Sequence, residues 1–233
     1  MKIVFLTGAG ISAESGVPTF RGDGGLWENH NVDDVCSVEG WKNNRELVLN
    51  FYNGLRSKLK DIKPNKAHEL IAELEGTPGF EVHIITTNCD DLHEKAGSKK
   101  ILHIHGELLS ARSTLNYSKY KWEKDIKIGD KCKYGSQLRP DIIFFGEKLD
   151  QNILDDAIKI TKDADIFVII GTSLQVYPAA SLFTLTKENC YLYYVDPGEC
   201  NLHMSDYKRV FFYHAQENAT TGIEKVIDDI KSF

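Results

Sequence analysis

A glycine-rich turn near the start of the chain is the first segment whose spacing suggests chemistry. The run from Thr7 to Gly16, TGAGISAESG, follows a strand-like apolar segment. A turn of this kind, leading into a helix, allows backbone N–H groups to approach a pyrophosphate at the helix N-terminus. Gly8 and Gly10 fit the dinucleotide pattern G-x-G-x-x-G, and Ala13 takes the third glycine position, which the looser pattern accepts. By itself the turn indicates either a nucleotide site or a tight structural turn.

Two histidines offer a second chemical possibility, because imidazole titrates near neutral pH and suits a general base. His105 precedes Gly106, and His103 lies two residues earlier, on the same face if the segment is a strand. Taken alone, a histidine before a glycine is more often structural than catalytic. We expect a packing role for His103.

A sheet must position these residues, because short aliphatic runs recur along the chain and several are apolar throughout. We predict strands at 2–6, 81–86, 142–145, 165–170 and 191–195, and helices at 45–60, 65–75, 150–161 and 222–233. This alternation predicts an α/β fold with a doubly wound, Rossmann-like, mostly parallel sheet. Residues 109–138, rich in Lys, Tyr, Ser, Asp and Gly, are interpreted as a small module inserted into a single domain spanning 1–233.

Composition excludes several classes of function. The chain has 233 residues, 42% apolar and 27% charged, and a formal charge of −6, so it has no general attraction to nucleic acid or anionic lipid. We find no run of the roughly 20 apolar residues that a membrane span needs. The five cysteines are odd in number and form no C-x-x-C pair, which argues against a disulfide framework and a cysteine-based zinc site. We expect a cytoplasmic monomer without nucleic-acid or membrane partners.

Five blocks, in chain order, resemble the signature motifs of the sirtuin family. They are GAGISAESGVPTFRG at 8–22, TNCDDLHEKAG at 87–97, HIHGE at 103–107, LRPDIIFFGE at 138–147 and GTSLQVYPAA at 171–180. The resemblance implies an NAD-dependent protein lysine deacylase, with NAD as co-substrate and nicotinamide and O-acyl-ADP-ribose as products. It makes His105 the general base for a ribose hydroxyl.

The resemblance also implies where NAD binds. Asn88 and Asp90 would order a water and bind the nicotinamide carboxamide, which offers one acceptor and two donors. Phe20 and Arg21 would close over the ribose. The full set of implied NAD contacts is Gly8, Ala9, Gly10, Ser12, Ala13, Glu14, Thr19, Phe20, Arg21, Trp27, Thr87, Asn88, Cys89, Asp90, His105, Gly171, Thr172, Ser173, Asp196 and Ala215.

An acyl-lysine protein or peptide is the implied partner. In the family, the segments that match Phe145-Gly146-Glu147 and Val176-Tyr177 sandwich an extended peptide by strand addition. Some sirtuins bind the carboxylate of succinyl- or malonyl-lysine with a Tyr-x-x-Arg pattern. Here Tyr52 is followed by Leu55 at the Arg position, and Arg56 lies about 100° further round the helix. Arg56 is either a solvent-facing charge or a displaced partner, so desuccinylation and demalonylation stay open beside deacetylation.

Other departures concern the ribose and the metal. Thr87 and Cys89 replace a family Gln and Ile, and we expect looser ribose positioning from the shorter hydroxyl. Asp196 is expected to accept hydrogen bonds from the adenosine ribose. The family holds its module with four zinc-binding cysteines, whereas only Cys132 lies between 106 and 138, so no zinc is expected. We predict an aromatic cluster in the metal's place, formed by Tyr117, Tyr120, Trp122 and Tyr134.

Two other functions are compatible with the same motifs. One is an NAD glycohydrolase of a defence or signalling system, in which water takes the ribose. The other is a non-catalytic module that binds NAD or ADP-ribose. The peptide-binding segments argue against the first, and an intact His105 argues against the second.

Overall fold

The structure, a computed structural model, describes residues 1–19, 31–200 and 211–233. These ranges contain nine strands: β1 (Lys2–Thr7), β2 (Glu81–Thr86), β3 (Ile101–His103), β4 (Gly106–Ser113), β5 (Lys119–Lys121), β6 (Leu138–Ile142), β7 (Ile166–Ile170), β8 (Tyr191–Val195) and β9 (Phe211–Ala215). They also contain eight α-helices: α1 (Gly10–Ala13), α2 (Val32–Val35), α3 (Val38–Asn43), α4 (Arg45–Leu59), α5 (Lys66–Glu75), α6 (Leu92–Ala96), α7 (Gln151–Lys162) and α8 (Ala219–Lys231). A 3₁₀ helix spans Ala179–Leu185.

Six strands form one sheet in the order β3-β2-β1-β7-β8-β9, and every neighbouring pair is parallel. Ile3 and Phe5 of β1 pack on the face covered by α5 and α8, whereas Val4 and Leu6 pack on the face covered by α7 and the 3₁₀ helix. The strand order reverses at β1, so the carboxyl ends of β1 and β7 form the crevice in which open α/β sheets bind ligands. The predicted doubly wound, Rossmann-like α/β fold is confirmed.

Three of the longer helices begin directly after a residue whose side chain caps the helix N-terminus. The side chains of Asn44, Asn65 and Asp150 accept hydrogen bonds from backbone N–H groups in the first turns of α4, α5 and α7. These three helices lie within one residue of their predicted bounds at each end. Helix α8 begins at Ala219, three residues before the predicted start, because Gly222 is a helical residue packed against Val195 rather than a helix boundary.

A second, antiparallel sheet has the order β5-β4-β6 and packs on α2, α3 and α4. The hydrophobic core between this sheet and the helices is separate from the two faces of the parallel sheet. In this core, aliphatic and aromatic side chains of the helices pack with Ala111, Ile126 and Leu138. The strand predicted at 142–145 is wrong: β6 ends at Ile142 and pairs with β4, and the next residues form a loop. We propose that residues 109–138 are a module within one domain spanning 1–233, with flanking residues completing its sheet.

The predicted aromatic cluster in the module is wrong. Tyr117 and Tyr134 are 62% and 58% exposed, and only Tyr120 and Trp122 pack against the buried residues. Instead, the Sγ atom of Cys132 lies 3.1 Å from Ser136 Oγ, which is 2.7 Å from Ser113 Oγ. Two small hydroxyls and a thiol, rather than four rings, therefore pack together in this part of the module.

No helix in the described ranges is both long enough and apolar enough to cross a membrane.

Candidate active site

The loops that follow β1 and β7 pack backbone against backbone at the sheet's carboxyl edge. Gly10 N donates to Gly171 O at 2.8 Å, and Gly8 N donates to Ile170 O at 3.0 Å. A Cβ atom on Gly8 would lie 2.6 Å from Thr172 Cβ, and one on Gly10 would lie 2.7 Å from Gly171 Cα. Gly171 itself has φ of +63°. The glycine pattern is therefore required by the close approach of two loops that form the wall of a cavity.

This cavity, which we call the sheet-end cavity, has a volume of about 420 Å³. Of the residues predicted to contact NAD, it is lined by Gly8, Ala9, Gly10, Ala13, Glu14, Thr19, Thr87, Gly171, Thr172, Ser173 and Asp196. Two of the polar groups already have partners. The Glu14 carboxylate accepts hydrogen bonds from the backbone N–H and the hydroxyl of Thr220, and Asp196 Oδ1 accepts one from Gly198 N.

The sequence did not single out several lining residues of the sheet-end cavity, among them Leu174, Pro197, Asn218 and Ala219. Asn218 stands at the start of α8, and an Asn before an amphipathic run is a helix-start signal that would have given the correct start of α8. Ala215, in contrast, was predicted to contact NAD but belongs to the core beside α8.

Asn88 and Asp90 follow β2 and are held by Ser12. Asn88 Nδ2 donates to Gly8 O at 3.1 Å and to Ser12 Oγ at 3.2 Å, and Ser12 Oγ donates to Asp90 Oδ2 at 3.0 Å. Burial raises the pKa of Asp90 above its ordinary value, although the hydrogen bonds from Leu92 N and Ser12 oppose this. Asn88 Oδ1 is buried and has no hydrogen-bond partner within the described residues. Ser12 does not line the sheet-end cavity and instead positions the pair.

Two buried histidines lie beneath this pair, and their rings are 4.9 Å apart. His68 Nε2 is 3.5 Å from Ser12 Oγ, and His93 Nε2 is 3.0 Å from Thr7 Oγ1. Burial lowers the pKa of His68 to about 4 and lowers the pKa of His93 well below its ordinary value. Both imidazoles are therefore neutral at pH 7, and Asn88 and Asp90 rest on an uncharged network.

A second cavity, which we call the inner cavity, also measures about 420 Å³. Asn88, Asp90 and Ala9 line one end. The rest of the wall is largely apolar and includes Val17, Tyr52, Leu55, Leu59, Ile62, Leu108 and Ile142, with Lys58 and Asp61 at the rim.

A third cavity, which we call the substrate channel, measures about 480 Å³. It contains His105 and the predicted peptide segments, Phe145-Gly146-Glu147 and Val176-Tyr177. It shares Tyr52, Cys89 and Ile142 with the inner cavity, and Thr87 and Val176 with the sheet-end cavity. The three cavities therefore adjoin one another, and the 87–89 loop lies where they meet.

His105 lies in the turn between β3 and β4, where Gly106 fixes the backbone. Gly106 has φ of +87°, and a Cβ atom there would lie 1.9 Å from Asp141 O, so no other residue fits without a backbone shift. His105 O accepts a hydrogen bond from Ile143 N at 3.0 Å. Burial lowers the pKa of the His105 imidazole, and a hydrogen bond to the Thr87 backbone opposes this only in part. The neutral ring can accept a proton at pH 7.

His103 has a different environment from His105. Its Nδ1 lies 2.8 Å from Asn88 O, and its Nε2 lies 2.9 Å from Glu94 Oε1. Burial lowers its pKa, but the hydrogen bond and the charge of Glu94 outweigh burial and raise it overall. His103 thus supports the backbone of Asn88 rather than facing a cavity.

The Glu147 carboxylate is fully engaged by the protein. Its oxygens accept hydrogen bonds from Arg112 Nη2 at 2.5 Å, from Arg139 Nη1 and Nη2 at 2.7 and 2.8 Å, and from Phe144 N at 2.9 Å. Burial disfavours the charged carboxylate, but the bonds and charges of the two arginines hold the pKa of Glu147 below its ordinary value. Glu147 therefore anchors the Phe145-Gly146 loop, with three hydrogen bonds to Oε2 and one to Oε1.

Tyr52 and Arg56 occupy different environments on α4. Tyr52 lines two cavities, and its hydroxyl donates to Cys36 Sγ at 3.3 Å. Arg56 is 1% exposed, so the first of the two alternatives for it, a solvent-facing charge, is wrong. Its Nε donates to Leu108 O at 2.9 Å and its Nη1 to Asn53 Oδ1 at 2.7 Å, and it lines none of the three cavities. Burial lowers the pKa of Arg56 to about 10, which leaves it charged.

The zinc site that the family resemblance implies does not fit this chain. Within the described ranges, no three or more His, Cys, Asp or Glu side chains are grouped so that they could hold a metal ion. Cys132 has serine hydroxyls as neighbours, and hydroxyls are not ligands of structural zinc. The predicted NAD contacts Phe20, Arg21 and Trp27 lie outside the described residues.

Comparison with known proteins agrees with this geometry. The model of the Sir2 family matches residues 8–178. An NAD-dependent protein deacylase of Helicobacter pylori is 54% identical over 204 residues, which cover 87% of each protein. Another, of Bacteroides thetaiotaomicron, is 45% identical over 232 residues, covering 97% of this chain and 96% of the relative.

Solved structures agree as well. A mutant Sir2 homologue bound to ADP-ribose superposes with a TM-score of 0.89 at 35% identity, covering 99% of this chain and 92% of the other. A Sir2 mutant solved with a deacetylated peptide and 3′-O-acetyl ADP-ribose gives a TM-score of 0.79 at 32% identity, covering 97% and 92%.

Proposed function

This chain belongs to the Sir2 family, and from that premise we propose that it is an NAD-dependent protein deacylase. It converts NAD, an acyl-lysine side chain and water into nicotinamide, O-acyl-ADP-ribose and free lysine. The observation that carries this proposal is the meeting of three cavities at the 87–89 loop, with His105 in the wall of the channel. One cavity suits a nucleotide, one a carboxamide and one an acyl-lysine.

The sheet-end cavity fits the ADP-ribose part of NAD. The wall from Gly8 to Gly10 allows close approach of a pyrophosphate, and the cavity lies at the topological switch point of the sheet. At the inner end, the unpartnered Asn88 Oδ1 is a suitable acceptor for the N–H groups of a carboxamide, and Asp90 lies beside it. The family relatives are named as NAD-dependent enzymes, which supports the same assignment.

His105 supplies the base. When bound, NAD provides a ribosyl carbon that the acyl oxygen captures as nicotinamide leaves. The neutral His105 ring then accepts the proton of a ribose hydroxyl, so that this oxygen can attack the acyl carbon. The lowered pKa of His105 keeps the imidazole unprotonated at neutral pH. Thr87 contributes less to ribose positioning than a longer side chain would, because its hydroxyl donates to Thr7 O at 3.2 Å.

The substrate channel fits an extended peptide. Phe145 and Tyr177 line it and are 48% and 74% exposed, so both side chains are accessible to a peptide. We propose that an acyl-lysine protein or peptide lies between them by strand addition. We further propose that the enzyme acts as a monomer, because one chain contains all three cavities, and that its charge of −6 disfavours nucleic-acid substrates.

Among acyl groups, we propose that acetyl-lysine is processed at least as well as succinyl- or malonyl-lysine. Leu55 offers no cation to a carboxylate, and a charge-assisted hydrogen bond to a carboxylate is worth about 1.5–3 kcal/mol. Arg56 does not line the channel or the inner cavity, and its Nε and Nη1 groups have protein partners.

Mass spectrometry of NAD reactions, with an acetylated peptide, with its unmodified form and without peptide, tests the proposed function. O-acetyl-ADP-ribose that forms only with the acetylated peptide supports the deacylase. ADP-ribose produced without any peptide would instead identify an NAD glycohydrolase. Binding of ADP-ribose without turnover in any of the three reactions would identify a non-catalytic module.

A further inference from the structure

A fourth cavity, which we call the module cavity, adjoins the substrate channel and measures about 590 Å³. It lies between the loop that follows β6 and the polar side chains of the inserted module. Its charged and aromatic lining residues are Arg112, Tyr117, Lys119, Glu147, Lys148 and Asp150. We propose that this cavity binds an acidic side chain of the substrate protein, close in sequence to the acyl-lysine. The inference rests on the proposed deacylase function and adds a determinant of which lysines are selected.

The module cavity is within reach of a peptide in the substrate channel. The two cavities share one loop as a common wall, since both are lined by Ile143, Gly146, Glu147, Lys148 and Leu149. An extended peptide advances about 3.3 Å per residue and directs successive side chains to opposite sides. With the acyl-lysine in the channel, a nearby side chain can therefore pass over Gly146, which has no side chain in the way, and enter the module cavity.

Cations outnumber anions on the wall of the module cavity. The cations are Arg112, Lys119 and Lys148, and the anions are Glu147 and Asp150. Both anions are already engaged by the protein. Glu147 is compensated by two arginines, and the side chain of Asp150 caps the first turn of α7. The wall therefore favours a negatively charged ligand.

Lys148 provides the charge that is available to such a ligand. It is exposed and lines both the substrate channel and the module cavity. Its ammonium group makes no ion pair with any residue in the described ranges. Lys119 Nζ, in contrast, lies 3.1 Å from Asp141 Oδ2, and Arg112 Nε lies 3.8 Å from Asp141 Oδ1. One buried carboxylate is therefore shared by two cations, which leaves Lys148 uncompensated beside them.

Arg112 is fixed in the cavity wall before any ligand binds. It is 6% exposed, and its Nη2 donates to Ile142 O at 2.9 Å as well as to Glu147. Its guanidinium carbon lies 5.4 Å from the centre of the Tyr117 ring. A cation held in this way loses little conformational freedom when a carboxylate arrives, so more of the attraction is available for binding.

The charge of the inserted module agrees with this assignment. Residues 109–138 contain seven Lys and Arg residues against three Asp and Glu residues, although the whole chain has a formal charge of −6. The module therefore attracts acidic segments that the rest of the surface repels. An acidic side chain near the acyl-lysine would orient the substrate with that side chain towards the module.

The experiment compares kcat/KM for acetyl-lysine peptides that carry glutamate or glutamine at each of the three positions before and after the acetyl-lysine. We expect glutamate to be preferred by about three- to tenfold at one position, or at two positions that are two residues apart. The preference should appear mainly in KM, because the carboxylate binds away from the reacting atoms, and it should weaken as the salt concentration rises. No preference at any position, or an equal preference at all of them, would overturn the inference.

Variants of two lysines connect the preference to this cavity. Lys148→Gln should bring the glutamate-to-glutamine ratio of kcat/KM close to one, and Lys148→Glu should reverse it. Lys119→Gln should lower the ratio, with thermal unfolding measured alongside because Lys119 also pairs with buried Asp141. Lys121→Gln is the matched control, since Lys121 lies on the same strand, pairs with Glu123 and does not line the module cavity. A wild-type ratio in Lys148→Gln, or an equal loss in Lys121→Gln, contradicts the assignment.

The same measurements separate this inference from the proposed function. Turnover of all the acetylated peptides with equal kcat/KM leaves the deacylase intact and removes the acidic subsite. A folded protein that turns over none of them overturns the deacylase and the subsite with it.

Discussion

The two sides of the cleft are held in place by different interactions. On the nucleotide side, Asn88 and Asp90 rest on Ser12 and on neutral, buried histidines, next to loops fixed by the parallel sheet. On the peptide side, the Phe145-Gly146 loop is anchored by Glu147, which pairs with two buried arginines. The first side uses hydroxyl and amide hydrogen bonds backed by neutral imidazoles, and the second uses a carboxylate paired with two buried guanidinium groups.

This difference follows from where the loops begin. The nucleotide side is formed at the ends of β1, β2 and β7, whose register the buried sheet fixes. The peptide side follows β6, where Arg112 of β4 stands directly opposite Arg139 of β6. Like charges in directly opposed positions are destabilising. Glu147 lies between them and compensates both, so the same carboxylate stabilises the small sheet and positions the peptide-binding loop.

His105 lies where the two sides meet, and its removal is expected to have the largest effect. We predict that His105→Ala lowers the deacylation rate by about 10²–10⁴-fold, because the ribose hydroxyl loses its base. The melting temperature should change little, because the His105 ring is half-buried in a turn. Peptide deacylation and thermal unfolding measure these two effects. The lowered pKa of His105 also predicts that the acid limb of kcat/KM lies below pH 6.5.

His83→Ala is the matched control for this comparison. His83 lies on β2, pairs with Glu81 and lines none of the three cavities. The deacylation rate of His83→Ala should therefore equal that of the wild type. Near-normal deacylation by a folded His105→Ala protein would contradict the role of His105 as the general base.

The second prediction concerns the ions of the peptide side. Glu147→Gln preserves the shape of the side chain but removes the charge that pairs with both arginines, so Arg139 loses its paired carboxylate while Arg112 keeps Asp141, 3.8 Å from its Nε. We expect the free energy of unfolding to fall by about 3–5 kcal/mol, as for other buried pairs that lose one partner. Chemical denaturation at pH 7 measures the loss. Glu217→Gln, which breaks the exposed pair with Lys225, should lower the free energy of unfolding far less, and equal losses in the two variants would refute the anchoring role.

The third prediction concerns the neutral histidines of the nucleotide side. Because the pKa of His68 is lowered to about 4, the unfolded chain binds a proton between pH 6.5 and 4 that the folded protein does not. The free energy of unfolding should therefore fall as the pH falls from 6.5 to 4. His68 alone should account for about 3 kcal/mol of this loss. Above pH 6.5 the residue contributes no pH dependence.

Denaturation of wild type and His68→Gln between pH 7 and 4 measures the effect, and the variant should show a flatter profile. Glu147→Gln serves as the contrast. The pKa of Glu147 is lowered, so its stabilising charge is lost only as the pH falls through and below the ordinary range of a carboxyl group. If His68→Gln retains the full slope of the wild type, the neutral network is not the source of acid sensitivity.

The nucleotide side could be predicted from the sequence far better than the peptide side. Apolar runs located four of the six parallel strands, and the glycine spacing located the crevice, because both depend on neighbours along the chain. The ion cluster could not be predicted, since Arg112, Arg139 and Glu147 meet only through the pairing of β4 with β6. Arg56 was also missed, because helical periodicity does not show that Leu108 O and Asn53 Oδ1 accept hydrogen bonds from its buried guanidinium.

The last prediction has the smallest expected effect and tests how the module beside the ion cluster is held. The expected aromatic cluster is wrong, and Cys132 packs instead with Ser113 and Ser136 near buried Ile126 and Leu138. Apolar burial, the hydroxyl contacts and the pairing of β4 with β5 and β6 hold this module against its neighbours. We therefore expect purified protein to contain no stoichiometric zinc and to keep its melting temperature and deacylase activity after treatment with a chelator. Zinc-loaded relatives with four cysteines provide the positive control, because structural zinc supplies folding free energy that a chelator removes. One zinc per chain, or activity lost to the chelator and restored by zinc, would show that metal ligands outside the described residues complete the site and that the module is not held by packing alone.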